Sequence, residues 1–183
     1  NDQGELIREG DELRGNNEYM EVKASNVTSK TVWGVESSVD IRPNRFISAG
    51  GTFTYIYGTL EREDGTTQPA DRIPAANGRA YLNISRGQDL QIRPQIKYAF
   101  EKPASRLSPG EIDDNRTSRY GTDGFVNVQL LLKTTVLPQL EMKVMGDNLL
   151  NTSYRYHAST LDGMARNVTL TLKYSFKSLD EQL

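Results

Sequence analysis

The feature that most constrains this chain is a two-residue alternation of apolar and polar side chains that recurs along most of its length. From Leu90 to Phe100, Leu90, Ile92, Pro94, Ile96, Tyr98 and Phe100 alternate with Gln91, Arg93, Gln95, Lys97 and Ala99. Between Asn167 and Phe176, Val168, Leu170, Leu172, Tyr174 and Phe176 oppose Asn167, Thr169, Thr171, Lys173 and Ser175. A period of two places one set on each face of a strand and fits no helix. Four more segments obey it: Gly51–Gly58, Asn77–Ile84, Val126–Lys133, where Leu131 is an exception, and Leu140–Met145. A longer run from Tyr19 to Ile41 obeys it in its second half, through Trp33, Val35, Val39 and Ile41. In its first half Met20, Val22 and Ala24 fall on the other parity, which predicts a bulge or a stretch of strand above the main sheet. Glu5–Arg8 reads as the end of an earlier strand, which brings the expected total to about eight.

The connections alternate in length. Short turns are predicted at Arg42–Arg45, Arg86–Asp89 and Val136–Pro138, and long polar loops over Glu9–Glu18, Glu61–Ala75, Lys102–Thr122 and Asn151–Ala165. Short turns on one rim and long loops on the other are the pattern of a transmembrane β-barrel. A mean hydropathy of -0.61 does not oppose this, because such a barrel shows lipid only every second residue. Alternation alone also fits a soluble sandwich or small barrel with its apolar face inward. Tyr55, Tyr57, Tyr98, Phe100, Tyr174 and Phe176 lie near the ends of the apolar faces, as interfacial aromatic belts do, and tilt the reading toward the membrane.

Composition excludes several other classes. The 183 residues carry 22 Lys+Arg against 24 Asp+Glu, a balance without the basic excess of a nucleic-acid binder. There is no Cys, so a disulfide framework, a thiolate metal site and a cysteine nucleophile are ruled out, and the one His, His157, rules out a multi-histidine site. No nucleophile elbow, His-Glu-x-x-His or phosphate-binding glycine loop is present, and the sequence points to no enzyme and no cofactor.

The stretch from Gly146 to Phe176 reads Gly-Asp-Asn-Leu-Leu-Asn-Thr-Ser-Tyr, then a loop, then Ala165-Arg166-Asn167 and a last strand ending in Phe176. It resembles the terminal hairpin of TonB-dependent outer-membrane receptors, in which an Asn-Leu-Phe/Leu-Asp/Asn-x-x-Tyr segment precedes a Gly-Arg-Asn-like triplet and a final strand. Ala165 stands where the family carries Gly. Upstream, Gly34-Val35-Glu36 resembles the family's Gly-Val-Glu segment, and Arg72-Ile73-Pro74 before Gly78-Arg79 resembles its Arg-Ile/Val-Pro stretch.

The resemblance implies an all-β fold, an antiparallel transmembrane β-barrel of which about eight C-terminal strands of a larger, 22-stranded type are present. Residues 1–176 would form this C-terminal part of the barrel and residues 177–183 a tail. The chain begins at Asn1 without an initiator Met, and nothing in it resembles a plug domain or a TonB box, which adds to the expectation of a piece of a longer polypeptide. The implied function is import of a scarce nutrient, such as a ferric siderophore, haem or a similar metal chelate, across the bacterial outer membrane. The implied partners are the rest of the receptor with its plug, the TonB-ExbB-ExbD complex, the chelate and outer-membrane lipid. Two other readings stay open: a complete eight-stranded barrel with a structural or adhesive role, and a soluble ligand-binding β-barrel.

Within a barrel the same parity turns Glu36, Asp40, Arg79, Arg93, Lys97, Glu141, Lys143, Asp147 and Lys173 into the lumen, where they would pair with one another or with a plug. The long loops would face the outside of the cell. Arg116, Arg119 and Tyr120 in one, with Tyr154, Arg155, Tyr156 and His157 in another, combine cations and rings suited to an anionic or aromatic chelate. A lone loop His is more often exposed decoration than a ligand. The adjacent Asp113 and Asp114 are at most a weak calcium motif.

Overall fold

The computed structural model describes residues 29–87, 89–114 and 118–176. It is an antiparallel meander of strands β1 (Ser29–Ile41), β2 (Ile47–Glu61), β3 (Thr67–Pro69), β4 (Asn77–Arg86), β5 (Leu90–Ala99), β6 (Lys102–Pro103), β7 (Gly121–Thr122), β8 (Phe125–Leu137), β9 (Leu140–Asp147) and β10 (Asn167–Tyr174). The main sheet has eight strands in the order β1-β2-β4-β5-β8-β9-β10, with β3 beside β2, and β6 pairs separately with β7. β1 and β10 occupy opposite edges of this sheet, so among the described residues it is an open wall rather than a closed eight-stranded barrel. The expected strand at Glu5–Arg8, the out-of-phase stretch from Tyr19, the loop Glu9–Glu18 and the tail Lys177–Leu183 lie outside the described residues.

The register carries the apolar parity unbroken from strand to strand. Trp33 faces Tyr57, Val35 faces Tyr55, Ala49 faces Leu82, Ile84 faces Ile92, Ile96 faces Val128, Leu132 faces Val144 and Val144 faces Leu170. Directly opposed residues share a face, so these pairs form one apolar surface across the sheet. The other surface carries Asp40 beside Gly50, Arg79 beside Lys97, Gln95 beside Gln129 and Lys173 beside Glu141.

Burial is inverted with respect to a water-soluble protein. Among the described residues the only buried apolar side chains are Ala70, Leu107 and Phe125. Lys102, Glu111, Asn127, Gln129 and Asn148 are buried, while Val35, Ile84, Val126, Leu130, Val168, Leu170 and Leu172 are exposed. Loops fold onto the polar face and leave the apolar face bare. Monomeric soluble proteins rarely expose contiguous apolar patches beyond a few hundred Å², and a bare apolar face of this extent fits contact with a hydrocarbon layer. The band also has the height of one. From Ile47 to Tyr57, strand β2 rises ~33 Å at ~3.3 Å per residue, which projects to ~25 Å at a tilt of ~40°. Trp33, Tyr55 and Tyr57 cluster at the long-loop end of the band, and Tyr174 and Phe176 stack at the short-turn end.

Two departures from the expected pattern have local causes. β8 continues through Leu137 and the turn shrinks to Pro138 and Gln139, because a bulge between Thr135 and Leu137 resets the parity and brings Leu137 opposite Leu140. On the polar face Tyr81 lies flat over Gly50, where a Cβ would come within 2.6 Å of the Tyr81 hydroxyl. Tyr81 donates a hydrogen bond from there to Asp40 on β1, so this glycine lets one ring bridge three strands.

Candidate functional site

All three long connections within the described residues, 62–76, 100–124 and 148–166, leave the same rim of the sheet. They do not stand as separate fingers. The middle loop carries a short helix α1 (Pro109–Ile112) closed by a capping box: the Ser108 hydroxyl accepts from the Glu111 N–H, and Glu111 Oε2 accepts from the Ser108 N–H at 2.8 Å. Pro109 occupies the first helical position, where its missing N–H costs nothing. Asp113 and Asp114 close this helix, their N–H groups bonded to Pro109 O and Glu111 O.

This geometry aims the Glu111 carboxylate, only 2% exposed, at a point where the three loops meet. From the first loop, Arg72 N–H donates to Oε1 at 3.1 Å. From the middle loop, Lys102 Nζ lies 3.2 Å from Oε1 and donates at 2.7 Å to the Ile73 carbonyl of the first. From the third, His157 Nε2 lies 2.6 Å from Oε1 and 2.9 Å from Lys102 Nζ, while its Nδ1 lies 2.8 Å from Thr122 Oγ1. The side chains of His157 and Glu111 are each 3% exposed. Every buried side-chain nitrogen and oxygen among the described residues has a partner. Burial alone would raise the Glu111 pKa, but the Ser108 N–H, His157 and Lys102 together hold it below its ordinary value. Burial draws the Lys102 ammonium below its ordinary value against the pull of Glu111.

A second clamp sits under the last loop. Asn148 is fully buried at a φ of 50°, a backbone that Asn tolerates better than most side chains. Its Nδ2 donates to the carbonyls of Thr152 and Met164, and its Oδ1 accepts from Thr152 N–H, closing the base of the loop. Asn151, with a φ of 54°, accepts from Arg166 N–H. The Asn-Leu-Leu-Asn segment is thus a loop clasp.

The clasp folds the loop inward over the polar face of β8. Tyr154 stacks on Phe125 with ring centroids 4.6 Å apart and accepts a hydrogen bond from Asn127 Nδ2. Tyr156 meets Phe125 edge-on at 5.0 Å, and Gly163 packs so closely on the Tyr154 ring that no side chain fits there. Burial raises the Tyr156 pKa, with Tyr154 and Asp147 adding to it. Arg155 pairs with Asp162 at 2.6 Å, a pairing that lowers the Asp162 pKa and raises that of Arg155. A cavity of about 240 Å³ opens among Thr122, Phe125, Tyr154, Arg155, Tyr156 and Asp162.

The structure thus brings Tyr154, Arg155 and Tyr156 to one cavity, with His157 in the knot behind it. Arg119 lies over the Tyr120 ring at 5.2 Å, and Tyr120 is 77% exposed on the neighbouring loop. Arg116 lies outside the described residues. Sequence reasoning did not single out Lys102, Glu111 or Thr122. The Ser108-Pro109-Gly110-Glu111 capping box was a visible signal for Glu111, whereas nothing local marks Lys102. Among the described residues no group of three or more His, Asp or Glu side chains is placed to hold a metal ion.

No protein-family model matches the chain. Among solved structures it is similar to the copper transporter OprC, with a TM-score of 0.70 and 17% identity over 84% of this chain and 24% of that one. It is also similar to the ferric-catecholate import receptor Fiu from E. coli K12, with a TM-score of 0.58 and 21% identity over 80% of this chain and 21% of that one. The chain spans about a quarter of the first and a fifth of the second. At these identities the likeness shows the fold, and it is the fold that the resemblance to TonB-dependent receptors implies: a section of a large barrel wall.

Proposed function

We propose that this chain forms part of the barrel of a TonB-dependent receptor in the bacterial outer membrane, which captures a scarce nutrient at its long-loop rim for import. The observation that carries the reading is the inverted sheet, bare and apolar outside, polar inside, with its loops fastened together over the polar face. Residues 1–176 are the C-terminal portion of the barrel and 177–183 a tail, with the plug and the TonB box supplied by the rest of the polypeptide. The plug and the TonB-ExbB-ExbD complex energise transport. A closed eight-stranded barrel would need β1 and β10 to pair, and they stand at opposite edges of the described sheet. A soluble ligand-binding barrel would need the apolar face covered.

The ligand is an anionic or aromatic metal chelate. Tyr154 and Tyr156 offer rings at the cavity, Arg119 and Arg116 offer cations, and Tyr120, exposed under the Arg119 guanidinium, offers a further ring. Transport of copper by one similar structure and of ferric catecholate by another supports a metal-bearing ligand. His157 and Arg155 act through the loops they hold, since each is already engaged by carboxylate. The rim serves binding rather than catalysis.

The test is the quadruple variant Arg116→Ala, Arg119→Ala, Tyr154→Ala and Tyr156→Ala in the full-length receptor, with binding of ferric and cupric chelates measured at fixed ionic strength. Each change is expected to cost on the order of 1 kcal/mol of affinity, more at a buried anchor, with barrel assembly intact. Unchanged affinity would mean that the ligand is held by the plug and by other loops.

A further inference from the structure

We infer that the outward face at the long-loop rim carries a binding site for a phosphate-bearing amphiphile of the surrounding leaflet, centred on Arg106. The inference rests on the membrane placement proposed above. Arg106 ends the 3-10 turn Ala104–Arg106, and its guanidinium lies against two rings of β2. Its carbon lies 4.6 Å from the centre of the Tyr57 ring and 5.9 Å from that of Tyr55, and Nη1 donates to the Tyr55 hydroxyl at 3.4 Å. Tyr55 and Tyr57 belong to the apolar parity and pack with Trp33, which is 53% exposed. A cation is therefore mounted on the aromatic belt, on the outside of the wall.

Three observations say what covers it. First, no described carboxylate lies within ion-pair distance of Arg106, whereas Lys102 and Arg155 of the same loop layer are paired with Glu111 and Asp162. Two rings flank the guanidinium, and among the described residues only Nη1 finds a hydrogen-bond acceptor, so the other N–H groups of the fork suit a two-point contact with phosphate. Secondly, a cavity of about 220 Å³ adjoins it, bounded by Tyr57, Gln68, Ile73, Ser105, Arg106 and, on the side of the loop knot, Lys102, with room for a headgroup beside further polar groups. Thirdly, the apolar face continues directly below through Phe53, Val35 and Val39, so acyl chains lie against the wall when the headgroup sits at Arg106. Charge complementarity and continuity with the lipid face select an amphiphile over a soluble anion, which would leave that surface unused.

The full-length protein in a zwitterionic detergent would be titrated with dioleoyl phosphatidic acid and, separately, dioleoyl phosphatidylcholine, with bound lipid read by native mass spectrometry. The expected result is selective retention of phosphatidic acid. In Arg106→Gln its affinity should fall roughly tenfold, the usual size of a charge-assisted contact, with phosphatidylcholine unaffected. Arg106→Lys should recover part of the selectivity, and Arg62→Gln, on the β2–β3 turn, should change nothing. Equal retention of both lipids, or an Arg106→Gln variant that binds phosphatidic acid as before, would overturn the site. Displacement of the lipid by millimolar inorganic phosphate would also overturn it, by showing a free-anion site. A nitroxide at Val35→Cys separates the two levels: contact with water there sinks the membrane placement itself, whereas a lipid-facing label with no Arg106 effect sinks only this site.

Discussion

Replacing Glu111 by Ala should undock three loops at once while the barrel wall stands. The carboxylate is the common acceptor for Arg72 N–H, Ser108 N–H, Lys102 Nζ and His157 Nε2. Its removal leaves a buried ammonium with one carbonyl and one imidazole, and two backbone N–H groups without acceptors. Breaking a buried pair from one side costs ~3–5 kcal/mol, and each orphaned N–H adds ~1–3 kcal/mol that overlaps with it. A local loss of ~3–5 kcal/mol raises the population of the open loops by a factor of about 10² to 10⁴. Hydrogen exchange resolved by peptide would read this as faster exchange across 62–76, 100–114 and 148–166 together, with β4, β5, β8 and β9 still protected. Glu111→Gln, which keeps shape and some hydrogen bonding, should give a smaller change of the same pattern. Acceleration confined to 104–114 would refute the reasoning, since it would report loss of the helix cap alone and no knot.

The remaining expectations concern the same rim. Asn148→Ala removes three side-chain hydrogen bonds from a fully buried position at positive φ, and should cost ~3–5 kcal/mol of loop order, read as protease cleavage between 152 and 165. Loop docking should also depend on pH. Because the folded-state pKa of Glu111 lies below the ordinary value of 4.5, the stabilisation is complete above that value and is lost as pH falls through the folded pKa. Protection factors in the three loops, corrected for the intrinsic pH dependence of amide exchange, should be constant from neutrality to about pH 5 and fall below it; a fall already complete above about pH 6 would contradict the assignment to Glu111.

Much of the wall was legible because lipid and lumen impose opposite solvents on alternate residues. Segments such as Leu90–Phe100 and Val168–Phe176 carry that demand in plain sight, and their register follows once the apolar parity must match. The bulge at Thr135 and Leu137 was not legible, since it is one extra residue whose effect shows only against its partner strand. The loops show their chemistry residue by residue in sequence, but not the contact that joins them. Lys102 and His157 are 55 residues apart, and Glu111 and His157 are 46 apart, so no local pattern joins them. In sequence a lone loop His reads as exposed or ligand-binding; the structure instead encloses His157 with a carboxylate, an ammonium and a hydroxyl. Asn148 and Asn151 stand in sequence only as part of a resemblance, and their physical role as a clasp lies in the positive φ angles and in the backbone groups they bond.

The central claim is that the sheet is inside out, and nitroxide scanning of the full-length protein in lipid vesicles tests it most directly. Labels at Leu82, Ile92, Val128 and Leu170 should be accessible to oxygen and shielded from a water-soluble nickel complex. Labels at Arg79, Arg93, Gln129 and Thr171 should show neither strong oxygen access nor a lipid-like environment. The opposite assignment, with the second group facing lipid or with both groups equally open to the nickel complex, would contradict the account.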